Sequence, residues 1–365
     1  MKTQNRAMSL QRLPLVLLLL LVAIELGFRL LAYAVLGRPF WDGRKWVPDE
    51  HLIWKLNPGY QGSWETLKHI EINSLGLVGP ELIRPKDPDT IRLIVVGGSV
   101  TFGNSCTDLD STCCPMLLNL LQQRGRGERY ELFNGSVAGY SSYNGRQFVE
   151  HQLPGLDADI LILAFGWNDI AHDLAEDKTP GKDWQVYDTA TRGALTYSYT
   201  LQALRAVHQV VRSKIGRSQL AGHESFPYRV VLENFWENLR AMIQECRRLG
   251  VTPILLCEPH PRNYPDREGR LELHGSYLNV LRDLSRELQA PLADADSAFA
   301  AYPTAEVFQR PERQFIYPTT FGHRLMAEML YSCVLRDRDS NKSQTDRRNH
   351  PPVGPRAPVS GPKSR

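Results

Sequence analysis

Three short polar clusters in this 365-residue chain carry the residue types of acyl chemistry, and each follows directly on an apolar run. Gly97-Gly98-Ser99 follows Ile91 to Val96, Asn134-Gly135-Ser136-Val137-Ala138-Gly139 follows Tyr130 to Phe133, and Gly166-Trp167-Asn168-Asp169 follows Ile160 to Phe165. Glycines let a substrate approach a neighbouring serine closely, and a serine hydroxyl can attack a carbonyl. The negative charge that then develops on oxygen needs preorganised donors. The backbone N–H of Ser99, the backbone N–H of Gly139 and the side-chain amide of Asn168 are donors of that kind, and losing one typically costs about 100- to 1,000-fold in rate. Read alone, Gly-Gly-Ser is equally a tight strand-to-helix turn. Nucleotide binding is disfavoured, because neither the G-x-G-x-x-G spacing nor a G-x-x-x-x-G-K-[ST] loop is present.

The three apolar runs read as buried strands, and Val251 to Cys257 and Pro291 to Ala293 add a fourth and a fifth. Between and after them, Ser111 to Arg124, Asn144 to Leu153, Arg229 to Leu249, Ser276 to Gln289 and Thr320 to Leu335 have helical spacing. Strands alternating with helices imply an α/β fold with a parallel sheet covered on both faces. In such a sheet ligands bind beyond the carboxyl ends of the strands, so clusters distant in sequence can share one crevice. The segment up to about Phe226 reads as an insertion with one amphipathic helix near Leu201 to Ile215.

A hydrophobic content of 42% supports one domain of about 250 to 300 residues. The formal net charge is +3, but Arg336 to Arg365 holds eight Lys/Arg against three Asp, a net of +5, which leaves 3 − 5 = −2 for the remainder. That is no nucleic-acid footprint, and the tail is too poor in apolar residues to fold. Six cysteines include no C-x-x-C pair, which argues against zinc and thioredoxin-type sites. Cys257 and Cys333 read as core, whereas Cys106 with Cys113 or Cys114 can close a small loop in an oxidising compartment. No metal or organic cofactor is implied.

After a flank of residues 1 to 12, Leu13 to Leu36 is apolar except for Glu25 and Arg29. As one helix it spans on the order of 36 Å, enough for a bilayer. An uncleaved single-pass anchor with the domain outside the cytoplasm is expected; the competing reading is a signal peptide with Ala32-Tyr33-Ala34 as its cleavage site. Residues 37 to 90 read as an extended lead-in packing on a domain of residues 91 to 335, and residues 336 to 365 as a disordered basic tail.

Taken together, Gly97-Gly98-Ser99 with Val100-Thr101-Phe102-Gly103, then Asn134 to Gly139, then Gly166-x-Asn168-Asp169 resemble the first three blocks of the SGNH/GDSL hydrolase superfamily. Ile72-Asn73-Ser74-Leu75-Gly76 resembles the segment preceding the domain in membrane-anchored members. The resemblance implies a flavodoxin-like three-layer sandwich with a five-stranded sheet, esterase or lipase-type chemistry, and Ser99, Gly139 and Asn168 at the nucleophile and oxyanion positions. The fourth block departs. Where the family has D-x-x-H, this chain has Gln314-Phe315-Ile316-Tyr317, followed by Pro318, Thr319 and then Gly322-His323. A phenol with an ordinary pKa of about 10 keeps its proton at neutral pH and is a poor acceptor for the serine's. Loss of the base from a serine triad costs on the order of 10⁶ in kcat.

Three histidines are candidates to replace it: His172 just past Asp169, His260 beyond the fourth strand, and His323, which the resemblance also explains as a packing residue. His172 and His260 are otherwise solvated loop residues, Asp169 and Asp294 structural braces, and His274 a surface residue. Two functional readings follow, from different classes. One is a membrane-tethered serine esterase or deacetylase acting on an acylated glycan or lipid, or an acyltransferase to a glycan, with a rewired base. The other is an inactive relative that binds an acyl or sugar ligand.

Overall fold

A computed structural model describes residues 2–36, 45–171 except 65 and 126, 200, 228–262, 270–309 and 316–349. The expected helix near Leu201 to Ile215, His172 and Gln314 lie outside the described residues. In chain order the elements are helix α1 (Lys2–Leu36), strands β1 (Trp46–Asp49), β2 (Ile53–Leu56), β3 (Gln61–Trp64), β4 (Leu67–Glu71) and β5 (Thr90–Gly97), then α2 (Ser99–Phe102) and α3 (Cys113–Arg124). There follow β6 (Arg129–Asn134), α4 (Ser142–His151), β7 (Ile160–Ala164), α5 (Leu232–Arg248), β8 (Thr252–Cys257) and α6 (Arg270–Leu288). The last are β9 (Leu292–Asp294), α7 (Ala295–Phe299), α8 (Thr304–Val307) and α9 (Thr320–Asn349).

The five strands β6-β5-β7-β8-β9 form one parallel sheet in that order. Helix α3 packs with α9, while α4, α5 and α6 pack in a row, giving the two covering layers of an α/β sandwich. All eight residues of β5 are buried, which is why this strand reads as an apolar run. Arg92 is its exception. Its guanidinium donates to Glu131 Oε2, the Leu156 carbonyl and the Ile83 carbonyl, each at 2.9 Å, so the buried charge is both paired and hydrogen-bonded.

Two features depart from the sequence reading. Residues 45 to 71 form two small antiparallel hairpins, β1–β2 and β3–β4, rather than plain extended chain. Their buried residues, Leu52, Ile53, Trp54, Leu56, Tyr60, Trp64, Leu67 and Ile70, are too sparse and irregular to show a period of two. The last helix also continues to Asn349, through the charged segment expected to be disordered from Arg336. Near its exit from the fold, Arg338 pairs with Glu128 at 3.1 Å.

Within α1, Pro14–Leu31 is long and apolar enough to cross a membrane and is not buried against the rest of the chain. A signal sequence has the same length and composition. Glu25 and Arg29, four residues apart, pair at 3.0 Å. All six cysteines are free and buried, so the loop closure expected of Cys106 is not formed.

Candidate active site

The carboxyl ends of β5, β6 and β7 meet. A Cβ on Gly97 would lie 2.5 Å from the carbonyl oxygen of Ala164 on β7, and one on Gly98 would lie 2.5 Å from the Asn168 side-chain nitrogen. Both positions therefore require glycine, one for sheet contact and one to admit the Asn168 amide. That same nitrogen donates to the Tyr140 carbonyl at 2.8 Å, which ties the Asn168 turn to the Gly139 turn. An amide carries two N–H donors, so one remains for another acceptor.

The second cluster is locked to the first through Thr101. Asn134 Nδ2 donates to the Thr101 carbonyl and Ser136 Oγ to Thr101 Oγ1, each at 2.9 Å, while Val137 N donates to the Gly97 carbonyl at 3.0 Å. Gly139 then takes a left-handed φ of 93°, the conformation glycine adopts without strain. The edge of the Trp54 ring, from the β1–β2 hairpin, lies 3.4 Å from where a Gly139 Cβ would be, and Tyr140 Oη donates to the Trp54 carbonyl at 2.6 Å. Asp169 is fully buried and accepts from Ser142 N at 2.9 Å and Gly166 N at 3.1 Å, which is the brace expected of it. Asp294 is likewise a brace: it accepts from Ser297 N at 3.0 Å at the start of α7 and pairs with Arg282 at 2.9 Å.

Ser99 stands at the first residue of the four-residue helix α2, whose end is set by Gly103 in a left-handed cap. Its hydroxyl forms no hydrogen bond among the described residues. Of the candidate bases, His323 is fully enclosed, and among the described residues neither ring nitrogen makes a well-directed hydrogen bond. Burial alone would lower its pKa, but the Cys106 and Cys113 thiols beside it raise it. The Cys113 thiol is drawn down by Cys114 and, against burial, by His323. This histidine belongs to a thiol-lined core beneath α2.

His260 has a different setting. Its Nδ1 lies 2.8 Å from Asp296 Oδ1, with 18% of the His260 side chain exposed against 1% of Asp296. The two groups face each other at ion-pair distance, although among the described residues the ring Nδ1 makes no well-directed hydrogen bond. Arg262 and Arg282 reach the second carboxylate oxygen at 2.7 and 2.9 Å. Burial favours the neutral acid, but His260, Arg282 and Arg262 outweigh it and hold the Asp296 carboxyl far below the usual range. His260 is linked to the Asn168 turn by rings: its centroid is 5.9 Å from that of His274, which stacks on Trp167 at 3.8 Å. His274 is thus fully buried and not on the surface, because α6 begins at Arg270, earlier than its spacing implied.

Sequence reasoning passed over Asp296, Glu258, Arg229 and Trp54. Asp296 had a signal, an acidic residue two past Asp294 at the end of the last short strand. Glu258, at the end of β8, is 2% exposed; burial, then Asp169 and Cys113, push its carboxyl well above the usual range, favouring the protonated acid. Tyr317 stands half-buried in the fourth block, its carbonyl accepting from Gln309 N at 2.9 Å. Among the described residues no group of three or more acidic, histidine or cysteine side chains is placed to hold a metal ion.

This five-stranded parallel sheet, with a serine and two amide-bearing turns at the ends of its central strands, places the chain in the α/β class. A family model described as the GDSL-like lipase/acylhydrolase family matches residues 95–325. The chain belongs to that family and so stands among hydrolases acting on ester bonds. Solved structures similar to it include a lipase/acylhydrolase from Enterococcus faecalis, 15% identical, with a TM-score of 0.44 over 66% of this chain and 94% of that one. The acetylxylan esterase Axe2 of Geobacillus stearothermophilus is 13% identical, with a TM-score of 0.43 over 66% and 92%. TesA is 16% identical, with a TM-score of 0.43 over 67% and 97%. No curated protein matches the chain.

Proposed function

We propose that this protein is a membrane-tethered serine esterase or deacetylase acting on an acylated glycan or lipid, with its domain outside the cytoplasm. The observation that carries the reading is the Asn168 amide, wedged against Gly98 and bonded to Tyr140. It gathers the serine and two oxyanion loops into one crevice. Ser99 Oγ attacks the acyl carbon, its proton passing to His260, while the carbonyl oxygen takes on negative charge against the Ser99 N–H, the Gly139 N–H and the second Asn168 N–H. The alcohol leaves with the proton from His260, and water, deprotonated by the same imidazole, releases the acid from the serine ester. Asp296 orients His260. The fourth-block tyrosine has no part in this route.

The full chain in detergent micelles, assayed on p-nitrophenyl acetate beside Ser99→Ala, tests it. Activity of the native chain, abolished in the variant, is expected. Equal rates would leave the second reading, a crevice that binds an acyl or sugar ligand without turnover, which the unbonded Ser99 hydroxyl and Tyr317 favour. Product esterified to an added sugar, rather than free acid, would mark the acyltransferase.

A further inference from the structure

Beside the Gly139 turn sits a cation for which ester hydrolysis by Ser99 has so far required nothing. Arg229 lies at the start of the described segment that leads into α5. Its backbone N–H donates to the Ala171 carbonyl at 2.9 Å, and that of Val230 donates to the Asp169 carbonyl at 3.2 Å. The residue is thereby pinned beside the exit of the Asn168 turn. From there its guanidinium crosses to the neighbouring loop, where Nη1 donates to the Gly139 carbonyl at 2.9 Å.

Two successive carbonyls of this turn are therefore each held by a side chain, Gly139 by Arg229 and Tyr140 by Asn168. Gly139 has φ 93°, and the freedom that lets glycine adopt this conformation also lets it leave. A charge-assisted hydrogen bond to its carbonyl removes that freedom. Among the described residues, the Gly139 N–H itself makes no hydrogen bond, so it is the unspent donor of the turn.

We propose that Arg229 is a positioning residue of the oxyanion hole, a role that rests on the serine-hydrolase reading. Its guanidinium fixes the Gly139–Tyr140 peptide so that the Gly139 N–H meets the substrate carbonyl oxygen as negative charge grows there. Donors held in advance stabilise that charge without reorganising during the reaction, so the effect falls on kcat and spares KM. Arginine suits the place better than lysine, since its planar fork donates in a fixed direction.

The experiment uses the full chain in detergent micelles with p-nitrophenyl acetate, comparing Arg229→Ala, Arg229→Gln and Ser99→Ala. In Arg229→Ala kcat is expected to fall about 10- to 100-fold, short of the loss of a donor itself, with KM held within about twofold. Millimolar guanidinium ion restores part of that kcat and leaves Ser99→Ala inactive; an arginine needed only for folding gives no such rescue. Wild-type kcat in Arg229→Ala beside an inactive Ser99→Ala overturns the assignment while leaving the hydrolase intact, as does a loss that guanidinium does not repair. A Ser99→Ala protein as fast as wild type overturns both. If Arg229→Ala does not fold, Arg229→Gln decides: reduced kcat at unchanged KM supports the role, and unchanged kcat overturns it.

Discussion

The two halves of the crevice are built by different means. On the Ser99 side, the ends of β5, β6 and β7 are fixed by parallel pairing that runs to Val95–Asn134 and Gly97–Ala164, and the donors are backbone groups or an amide held by a carbonyl. On the side of β8 and β9 the candidate groups are side chains, His260 and Asp296, and the sequence carries Gln314 and Tyr317 where the resemblance leads one to expect Asp and His. Backbone donors come with the fold and are costly to change. A side-chain base can move to another loop, and on the proposed reading His260, facing Asp296 at 2.8 Å, takes that place.

Substitutions on each side separate the two halves. His260→Ala is expected to cost about 100- to 10,000-fold in kcat, the range of a general base, read by steady-state ester hydrolysis; a change below about twofold would hand the role to a residue outside the described chain. Gly98→Ala displaces the Asn168 amide and is expected to cost about 100- to 1,000-fold, with Ser99 labelling by a fluorophosphonate slowed in parallel. Arg92→Met lies below both halves. It strands Glu131 and the carbonyls of Leu156 and Ile83, so denaturant unfolding should show about 3 to 5 kcal/mol lost while kcat per folded molecule holds.

The smallest effect concerns acid. Asp296 has a depressed pKa in the folded chain, so its contribution to stability is full above its unfolded value, near about 3.9, and is lost as pH falls through the folded one. Asp296→Asn should therefore flatten the acid limb of a Tm-against-pH curve below about pH 4. An unchanged limb would remove the carboxylate from the His260 pair.

The nucleophile side was legible in the chain because its determinants are local. Apolar runs ending in glycine name both the strand and its crowded exit, and Gly98 is needed for a reason its neighbours reveal only in three dimensions. The base side was not legible. His260 and Asp296 are 36 positions apart and pair because β8 and β9 are adjacent, which a single sequence shows only through the order of strands. His274 was misplaced for the related reason that an early helix start turned its ring inwards onto Trp167. Arg229 and Trp54 could not be found at all by pattern, since one stands in no motif and acts through a carbonyl 90 positions away and the other sits in a hairpin with no period.

The contact of Trp54 with Gly139 also sets a leash. Between Leu36, where α1 ends, and Trp46, where the first hairpin begins, the chain takes ten residue steps, which stretch to at most about 33 to 36 Å. With α1 in a bilayer, the Ser99 crevice would lie within a few tens of ångströms of the lipid surface, and on the proposed reading an acylated polymer would have to lie along that surface to be reached.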